Sequence, residues 1–585
     1  MQYDVLLVHP PSFYDFREKV SFPGPIARTV VRSSEQFVTI PFGMLSMADY
    51  LDRNGFRVLV DNLGDRMMAG QDFDAERHLR GVSAKVYAVG LHWAVHSQGA
   101  IETARLCKRL HPNSTVIVGG LTATCFHSEI IEKFRFVDGV IRGEAEKPIV
   151  ELVRNIKKGK LISETPSLTC RRDGKVTVAP LMKPSVDLDE YEFTRLDLLE
   201  PKSSIFLQGV IPHWKIPVCR GCVYNCVSCG GSAYSYKTYF GMEKPAFRSP
   251  GKIAEDIQKL LDQGVRFVGL SQDPRMGGRT YWEELTTALR AERLDVTRLA
   301  FDLLSPADDE FLRALSRTKK PVVLTISPES GAHDVRQYHG REYSNEDCIQ
   351  TVRLSHKYGI PITFFFMVGL ARENRETLRD TWELWEELCL LDQKARLEGT
   401  FREMERHFPI GGPTMGQMIL LDPGSLAFDF PAEHGYSLVF KNLEDYINGL
   451  SNPSWHQWIS YETKSLDKNG LVELFLESID HAIHEREKYG MYGKVEAAVE
   501  RFGVRAQRVM INEVDHIQHF DEAEQSRRLR SLKTALDYYC SGTESLTESD
   551  PYSYRRLFEE ILHESVGLIE GGPTDQFTGS IFRPG

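Results

Sequence analysis

Along the first 160 residues, short apolar runs alternate with segments whose apolar residues recur at helical spacing. YDVLLVHP (3–10), RVLVDN (57–62), VYAVGLHW (86–93), TVIVGG (115–120) and VDGVIRGE (137–144) predict strands. PFGMLSMADYLDRNG (41–55), ended by Gly55, and residues 97–110 predict helices. The strand runs are β-branched and nearly continuous in apolar character, as when helices cover both faces of a sheet. Such alternation predicts a parallel, doubly wound sheet, which binds ligands beyond the carboxyl ends of its strands. Those ends are DNLGDR (61–66), LHWAVH (91–96), GGLTAT (119–124) and RGEAE (142–146), each carrying glycine or polar residues.

Residues 161–205 read as a linker with a short hairpin, SLTCRRDGKVTVAP. From 214 a second alternation begins, with strands at 214–218, 266–272, 298–303, 321–327 and 361–370. Helix-like segments near 250–263, 279–292, 307–316, 345–357 and 374–393 separate them. This βα repetition predicts a full or partial (β/α) barrel, whose chemistry sits on the loops after the strands. From about 410 a loop-rich segment gives way to acidic helical stretches, which predict a mostly α-helical terminal domain. No internal repeat or low-complexity tract interrupts the chain.

The length of 585 residues suggests about three or four domains. A hydrophobic share of 42% and a charged share of 26% exclude a disordered or fibrous chain. Lys and Arg number 71 and Asp and Glu 82, a net charge of −11, which argues against a nucleic-acid binder. No apolar run approaches the ~20 residues of a membrane span. MQYDVLLVHPP lacks the layout of a signal peptide. A cytoplasmic protein is expected.

Of the ten cysteines, four (Cys219, Cys222, Cys226 and Cys229) fall in one short stretch, PVCRGCVYNCVSCGG, directly after the first barrel strand. The other six are scattered singly, as reduced buried thiols are. Cys222, Cys226 and Cys229 are spaced C-x3-C-x2-C. Three thiolates so close can cap three irons of a cubane and leave the fourth open to a chelating ligand. Cys219 adds a C-x2-C in front, so a four-cysteine zinc site is the competing reading, although zinc knuckles usually separate their pairs by a dozen or more residues. The ferredoxin run C-x2-C-x2-C-x3-C is not matched. Cys219 reads as a non-ligand thiol beside the cluster.

C-x3-C-x2-C after a first barrel strand resembles the radical S-adenosylmethionine (SAM) superfamily. The resemblance implies a [4Fe-4S] cluster on Cys222, Cys226 and Cys229. The open iron would chelate the amino and carboxylate groups of SAM, and an electron from the cluster would cleave SAM to a 5′-deoxyadenosyl radical. Gly230 and Gly231 follow the last cysteine, where the backbone must pass SAM. GLSQDP (269–274) stands where the family has a Gly-Gly-Glu stretch; the motif is degraded, leaving Ser271 and Gln272 as candidates. ISPESG (326–331) resembles the fourth-strand Glu-Ser-Gly and implies Glu329 and Ser330 near SAM. MVGLARENRET (367–377), with Gly369, resembles the fifth-strand segment that lines adenine. The aromatic residue usual before the third cysteine is here Ser228, so adenine stacking is assigned to Tyr224 or Tyr236.

PFGMLSMADYLDRNGFRVLVDN, GLHW, VIVGGLTAT and VDGVIRGEAEKP resemble the cobalamin-binding domain that precedes the barrel in one branch of that superfamily. The alternative is a flavodoxin-like sheet with no ligand or with another nucleotide. D-x-H-x-x-G is absent, and Asp74 to His78 has the wrong spacing, so cobalamin is expected base-off without a protein histidine on cobalt. Arg66, His92, Trp93, Gly119, Gly120, Gly143 and Glu144 lie at the strand ends that would carry it. The fold expected is therefore α/β: an N-terminal doubly wound, Rossmann-like cobalamin sheet (1–160), a linker (161–205), a partial TIM-type radical SAM barrel (206–410) and a mostly α-helical C-terminal domain (411–585).

LLDPGSLAFDFPAEHGY and NPSWHQWISYET resemble the terminal segment of small-molecule methylating members of the branch. Tyr436, Trp455, Trp458 and Tyr461 are candidate pocket walls, with core packing as the plainer role. His481 and His484 beside Glu485, and His516 and His519 beside Asp515, have metal-compatible spacing but read as a solvated helix face. P-loop, G-x-S-x-G, H-E-x-x-H and G-x-G-x-x-G motifs are absent. The reading is a cobalamin-dependent radical SAM C-methyltransferase for a small molecule, free or carrier-bound, served by a reductant such as flavodoxin or ferredoxin, with neither nucleic acid nor membrane as partner. A non-methylating rearrangement or cyclisation, a polar methyl transfer to an sp2 carbon, and a cobalamin- or redox-sensing protein are the alternatives.

Overall fold

The computed structural model describes residues 2–24, 36–70, 72–207, 211–400, 412–541 and 554–567. The expected boundary at 410/411 lies outside the described residues.

Eight strands form the first sheet: β1 (Gln2–His9), β2 (Val58–Asn62), β3 (Ser83–Gly90), β4 (Thr115–Gly119), β5 (Gly139–Ile141), β6 (Leu168–Arg172), β7 (Lys175–Val178) and β8 (Leu199–Glu200). Their order is β7-β6-β5-β4-β3-β1-β2-β8. β1 to β5 and β8 pair in parallel; the β6–β7 hairpin adds antiparallel strands to one edge. In β1, Val5 and Leu7 join one core and Leu6 and Val8 the core on the opposite face, so the continuous apolar run buries both sides. The first core holds the helix Phe42–Arg53 and the second the helix Ser97–Leu110. The strand order reverses at β1/β3, the switch point where such sheets open a crevice.

Residues 161–205, expected as a linker, supply both edges of this sheet. The hairpin covers β5 and β8 covers β2, so each strand from β1 to β5 is paired on both sides.

The second sheet runs β17-β16-β15-β14-β13-β10-β9, with β9 (Phe206–Leu207), β10 (Ile211–Pro217), β13 (Phe267–Ser271), β14 (Arg298–Leu303), β15 (Val322–Glu329), β16 (Ile362–Val368) and β17 (Gly412–Met418). Its six longer strands are parallel, and β9 lies antiparallel on β10. β17 and β9 do not pair, so the barrel is open. β17 falls beyond the expected end of the barrel: its GPTMGQM sequence lacks the apolar signature of the inner strands, yet the ladder with β16 claims it. A two-strand ladder of β11 (Cys219–Arg220) and β12 (Ala246–Phe247) follows β10.

Local chemistry starts the barrel helices. Ser249 caps Pro250–Asp262 with proline in the first turn, and Ser344 and Asn374 form capping boxes for Asn345–Lys357 and Arg375–Leu397. Beyond 440 the helices Lys468–Lys488, Lys494–Ile517, Glu522–Ser541 and Arg555–Val566 give the mostly helical terminal region. A small ladder of β18 (Tyr436–Leu438) and β19 (Tyr461–Thr463) precedes them.

Candidate cofactor site

The register of the second sheet brings its strand ends to one level. Pro217 pairs with Ser271, and the Val218 N–H donates to the Ser271 carbonyl at 3.0 Å, so the cysteine loop leaves the barrel beside the end of β13. Within that loop the Cys222 and Cys229 sulfurs each accept a backbone N–H, from Tyr224 at 3.4 Å and Gly231 at 3.3 Å. Such donors stabilise thiolates. The Cys226 carbonyl accepts from the Cys229 N–H at 3.2 Å, tightening the turn. Burial pushes the Cys226 and Cys229 thiols up, and to a smaller extent so do their neighbours, Cys222 for Cys226 and both Cys226 and Cys222 for Cys229. Cys219 is buried in β11, and its thiol donates to the Gly221 carbonyl at 3.6 Å. Among the described residues no three His, Cys, Asp or Glu side chains are grouped to hold a single metal ion. Three thiols on one short loop, two of them accepting backbone N–H groups, fit three irons of a cubane.

Around the loop lie strained residues. Gln272 and Glu329 have φ of 76° and 70°, left-handed values that are costly without glycine and gather at binding sites. Glu329 is ion-paired with Arg341 at 3.0 Å, both side chains largely buried. Ser271 is nearly buried at the end of β13. Tyr224 lines a cavity of about 800 Å³ with Leu304, Pro306, Gly340 and Arg341. Tyr236 packs on Phe240, ring centroids 5.2 Å apart. The Gly369 N–H donates to Glu373 at 2.7 Å. Burial pushes the Glu373 carboxyl up to about 7, against two backbone N–H bonds. Ser330 is wholly buried and bonded to Thr381 at 3.2 Å, so it braces the strand end and has no surface for a cofactor.

At the first sheet's crest, a Cβ on Gly120 (φ 120°) would stand 2.6 Å from the Leu91 carbonyl oxygen and 2.7 Å from the His92 Cα, so only glycine lets β4 turn there against the end of β3. Gly119 pairs with Ile141, and the Gly143 N–H donates to Thr124 Oγ1 at 3.1 Å. His92 meets Trp93 edge to face at 4.7 Å, and Trp93 meets Phe37 likewise at 4.9 Å. His9, at the end of β1, lies 4.9 Å from His96. Burial pulls His92 and His96 down to about 4 and His9 well down, leaving three neutral imidazoles at the switch point. His9 Nε2 is buried with no partner. Sequence reasoning missed His9 and His96; their places at the ends of β1 and β3 were the available signal.

Two predicted crest residues do other work. Arg66 lies on the helix after β2, 2.6 Å from the buried Asp61, which also holds His78 at 2.7 Å. Glu144 is ion-paired with Arg220 at 3.0 Å.

The segment after β17 joins the two crests. The Ala427 N–H donates to the Val227 carbonyl at 2.9 Å in the cysteine loop, and Asp429 accepts from Tyr234 and Tyr239, each at 2.8 Å. Gly424 comes so close to Cys125 that a Cβ there would stand 2.7 Å from its sulfur. Asp422 accepts the Gly230 N–H at 3.2 Å, and burial pushes its carboxyl up to about 6. Cys229 is exposed, and Asp422 and His92 are partly exposed. The exposed Cys229 thiol, the orphaned His9 nitrogen and the glycine turn at Gly120 fit a cluster with SAM on one side and a corrinoid on the other.

Tyr436, Trp455, Trp458 and Tyr461 are core residues, 4%, 0%, 6% and 0% exposed. Of the residues in the two histidine groups, His481 stacks on Trp382 at 4.7 Å and Asp515 holds His456 at 2.9 Å.

The Radical SAM superfamily profile matches residues 216–384 and the B12 binding domain profile residues 28–153. An uncharacterized methyltransferase of Pyrococcus horikoshii is 22% identical over 384 residues, covering 64% of this chain and 76% of that protein. An anaerobic magnesium-protoporphyrin IX monomethyl ester cyclase of Rubrivivax gelatinosus is 25% identical over 299 residues; the match spans 49% of this chain and 51% of the cyclase. In fold, the chain resembles the radical SAM methyltransferase TsrM of Kitasatospora setae with cobalamin and a [4Fe-4S] cluster bound (TM-score 0.53, 16% identity, 97% and 100% covered). It also resembles the cobalamin-dependent SAM radical enzyme OxsB with aqua-cobalamin bound (TM-score 0.56, 11% identity, 97% and 84% covered).

Proposed function

This chain belongs to the cobalamin-binding branch of the radical SAM enzymes, and from that premise we propose that it is a C-methyltransferase for a small molecule. The observation that carries the reading is the segment after β17, which touches both the cysteine loop, through Ala427 on Val227 and Asp422 on Gly230, and the first domain, through Gly424 against Cys125. Cys222, Cys226 and Cys229 would hold the cluster, Gly230, Gly231, Gln272 and Glu329 would border SAM, and His92, Trp93, Gly119 and Gly120 would carry cobalamin. When bound, the cluster and SAM supply a radical and cobalamin a transferable methyl group.

The chain's own residues have a positioning task. Arg341 pairs with Glu329 in its left-handed conformation, Asp422 fixes the backbone at Gly230, and Ala427 and Asp429 pin the segment after β17 to the cysteine loop and the helix that follows it. Hydrogen abstraction needs no strong protein base. The small-molecule class is supported by the TsrM structure with tryptophan bound. The substrate is expected free or carrier-bound, and a flavodoxin- or ferredoxin-type donor is expected to reduce the cluster in the cytoplasm.

The cyclase relatives favour a second reading, a cobalamin-dependent cyclisation without methylation. Product mass separates the two. With anaerobically reconstituted protein, SAM, cobalamin and a panel of aromatic and heteroaromatic acids, methylation adds one CH₂. Consumption of SAM with product mass unchanged or lowered would replace the methyltransferase reading by the cyclase one. Assay of 5′-deoxyadenosine separates radical from polar methyl transfer.

A further inference from the structure

Two acids just past β5, Glu144 and Glu146, converge on one arginine of the cysteine loop. Arg220 Nη1 lies 3.0 Å from Glu144 Oε1, and Arg220 Nη2 lies 2.6 Å from Glu146 Oε1. The three side chains are 16%, 11% and 3% exposed, so the triad is largely out of water. Each acid has a second anchor: Ser46 on the helix Phe42–Arg53 donates to Glu146 at 2.7 Å, and the Ser185 N–H donates to Glu144 at 2.8 Å. The Tyr191 ring lies 5.3 Å from the guanidinium. Arg220 itself is held by its backbone pairing with Ala246, and it stands two residues before Cys222.

The thiols that would carry a cluster are supplied from 222 to 229, and none of them needs an arginine here. Removing one member of a buried ion triad is strongly destabilising, while replacing the whole triad by neutral groups need not be. A buried triad is therefore weak as a mere source of stability, and its place is informative: it ties the first crest to the cluster loop. A guanidinium gripping two carboxylates fixes direction as well as distance, which an ammonium does not.

We propose that Arg220 is a positioning residue, which by holding Glu144 and Glu146 sets the separation and angle between the cluster loop and the cobalamin crest. The inference rests on the two cofactors occupying these crests, and not on methylation being the outcome. Alignment between reacting groups is demanding; a displacement of about 1 Å can cost on the order of 100-fold in rate.

The test uses full-length protein loaded with cluster and cobalamin, both brought to their paramagnetic states, and pulsed EPR for the distance distribution between them. The wild type should give one narrow distance, Arg220→Met a broadened or shifted one, and Arg220→Lys an intermediate one. Because Arg220→Met strands two buried carboxylates, a triple variant with Glu144→Gln and Glu146→Gln accompanies it. The triple variant should recover the melting temperature while its distribution stays broad. The proposal is overturned if Arg220→Met keeps the wild-type distribution with iron and cobalamin intact, or if the triple variant restores the narrow distance. Product mass is read separately, so a failed methyltransferase assignment leaves the distance result standing.

Discussion

The two parallel sheets share one construction and differ in what their crests carry. The first presents glycine turns and three imidazoles held neutral by burial, with its charges at Asp61, Glu144 and Glu146 already spent on Arg66, His78 and Arg220. The second presents thiols, strained polar residues and a buried Glu329–Arg341 pair. A neutral, aromatic-lined crest suits a large flat macrocycle; a crest of thiolates and fixed charges suits a cluster with a zwitterionic nucleotide. The βα framework decides where ligands bind, and crest electrostatics decides which.

The largest expected break in that comparison is Cys222→Ala. It should cost roughly four irons per chain while cobalamin absorbance is retained, read by iron count and visible spectrum. Unchanged iron would remove the cluster from this loop, and joint loss of cobalamin would mean the two crests are not separate sites. Next comes Arg341→Met, which leaves Glu329 buried and unpaired. A loss of about 3 kcal/mol in stability is expected, with weakened SAM binding and cobalamin binding unaffected. Thermal melts and equilibrium dialysis with each ligand check it.

Gly120→Ala addresses the first crest alone. Its φ of 120° and the 2.6 Å approach to the Leu91 carbonyl predict a cost of about 2 kcal/mol and loss of cobalamin, with iron content unchanged.

The smallest expected effect is the pH dependence, opposite in sign at the two crests. His92 and His96 fall from 6.5 to about 4 on folding through burial, so only the unfolded chain takes up these protons between those values. Their contribution to stability is complete above pH 6.5 and is lost as pH falls toward about 4. Glu373 rises from 4.5 to about 7 through burial, so its contribution is complete below pH 4.5 and is lost as pH rises through about 7. Melting temperature against pH should fall on both sides; His92→Gln and His96→Gln should flatten the acid limb and Glu373→Gln the alkaline one. Equal slopes in all variants would deny the difference.

The strands of both sheets and the cysteine loop were legible because their signals are local: a run of apolar residues, a fixed spacing of thiols. β17 was not, since a glycine-rich strand at a sheet edge is specified by its partner β16 more than by its own residues. The hairpin at 168–178 was seen as a hairpin, but its docking on β5 has no local signature. Glu144 looked available for a ligand because its arginine lies 76 residues further along the chain.

By itself, then, the sequence determined two βα layers, the crest each would offer to a ligand, and a thiol triplet spaced for three irons, since periodicity and short spacings survive in one dimension. Only the tertiary structure decided which polar residues remain open. Burial and ion pairing depend on partners from distant segments: Arg220 occupies Glu144 and Glu146, Asp61 occupies Arg66, Thr381 occupies Ser330, and Asp422, unremarked in the sequence, arrives beside Gly230 from the far end of the barrel.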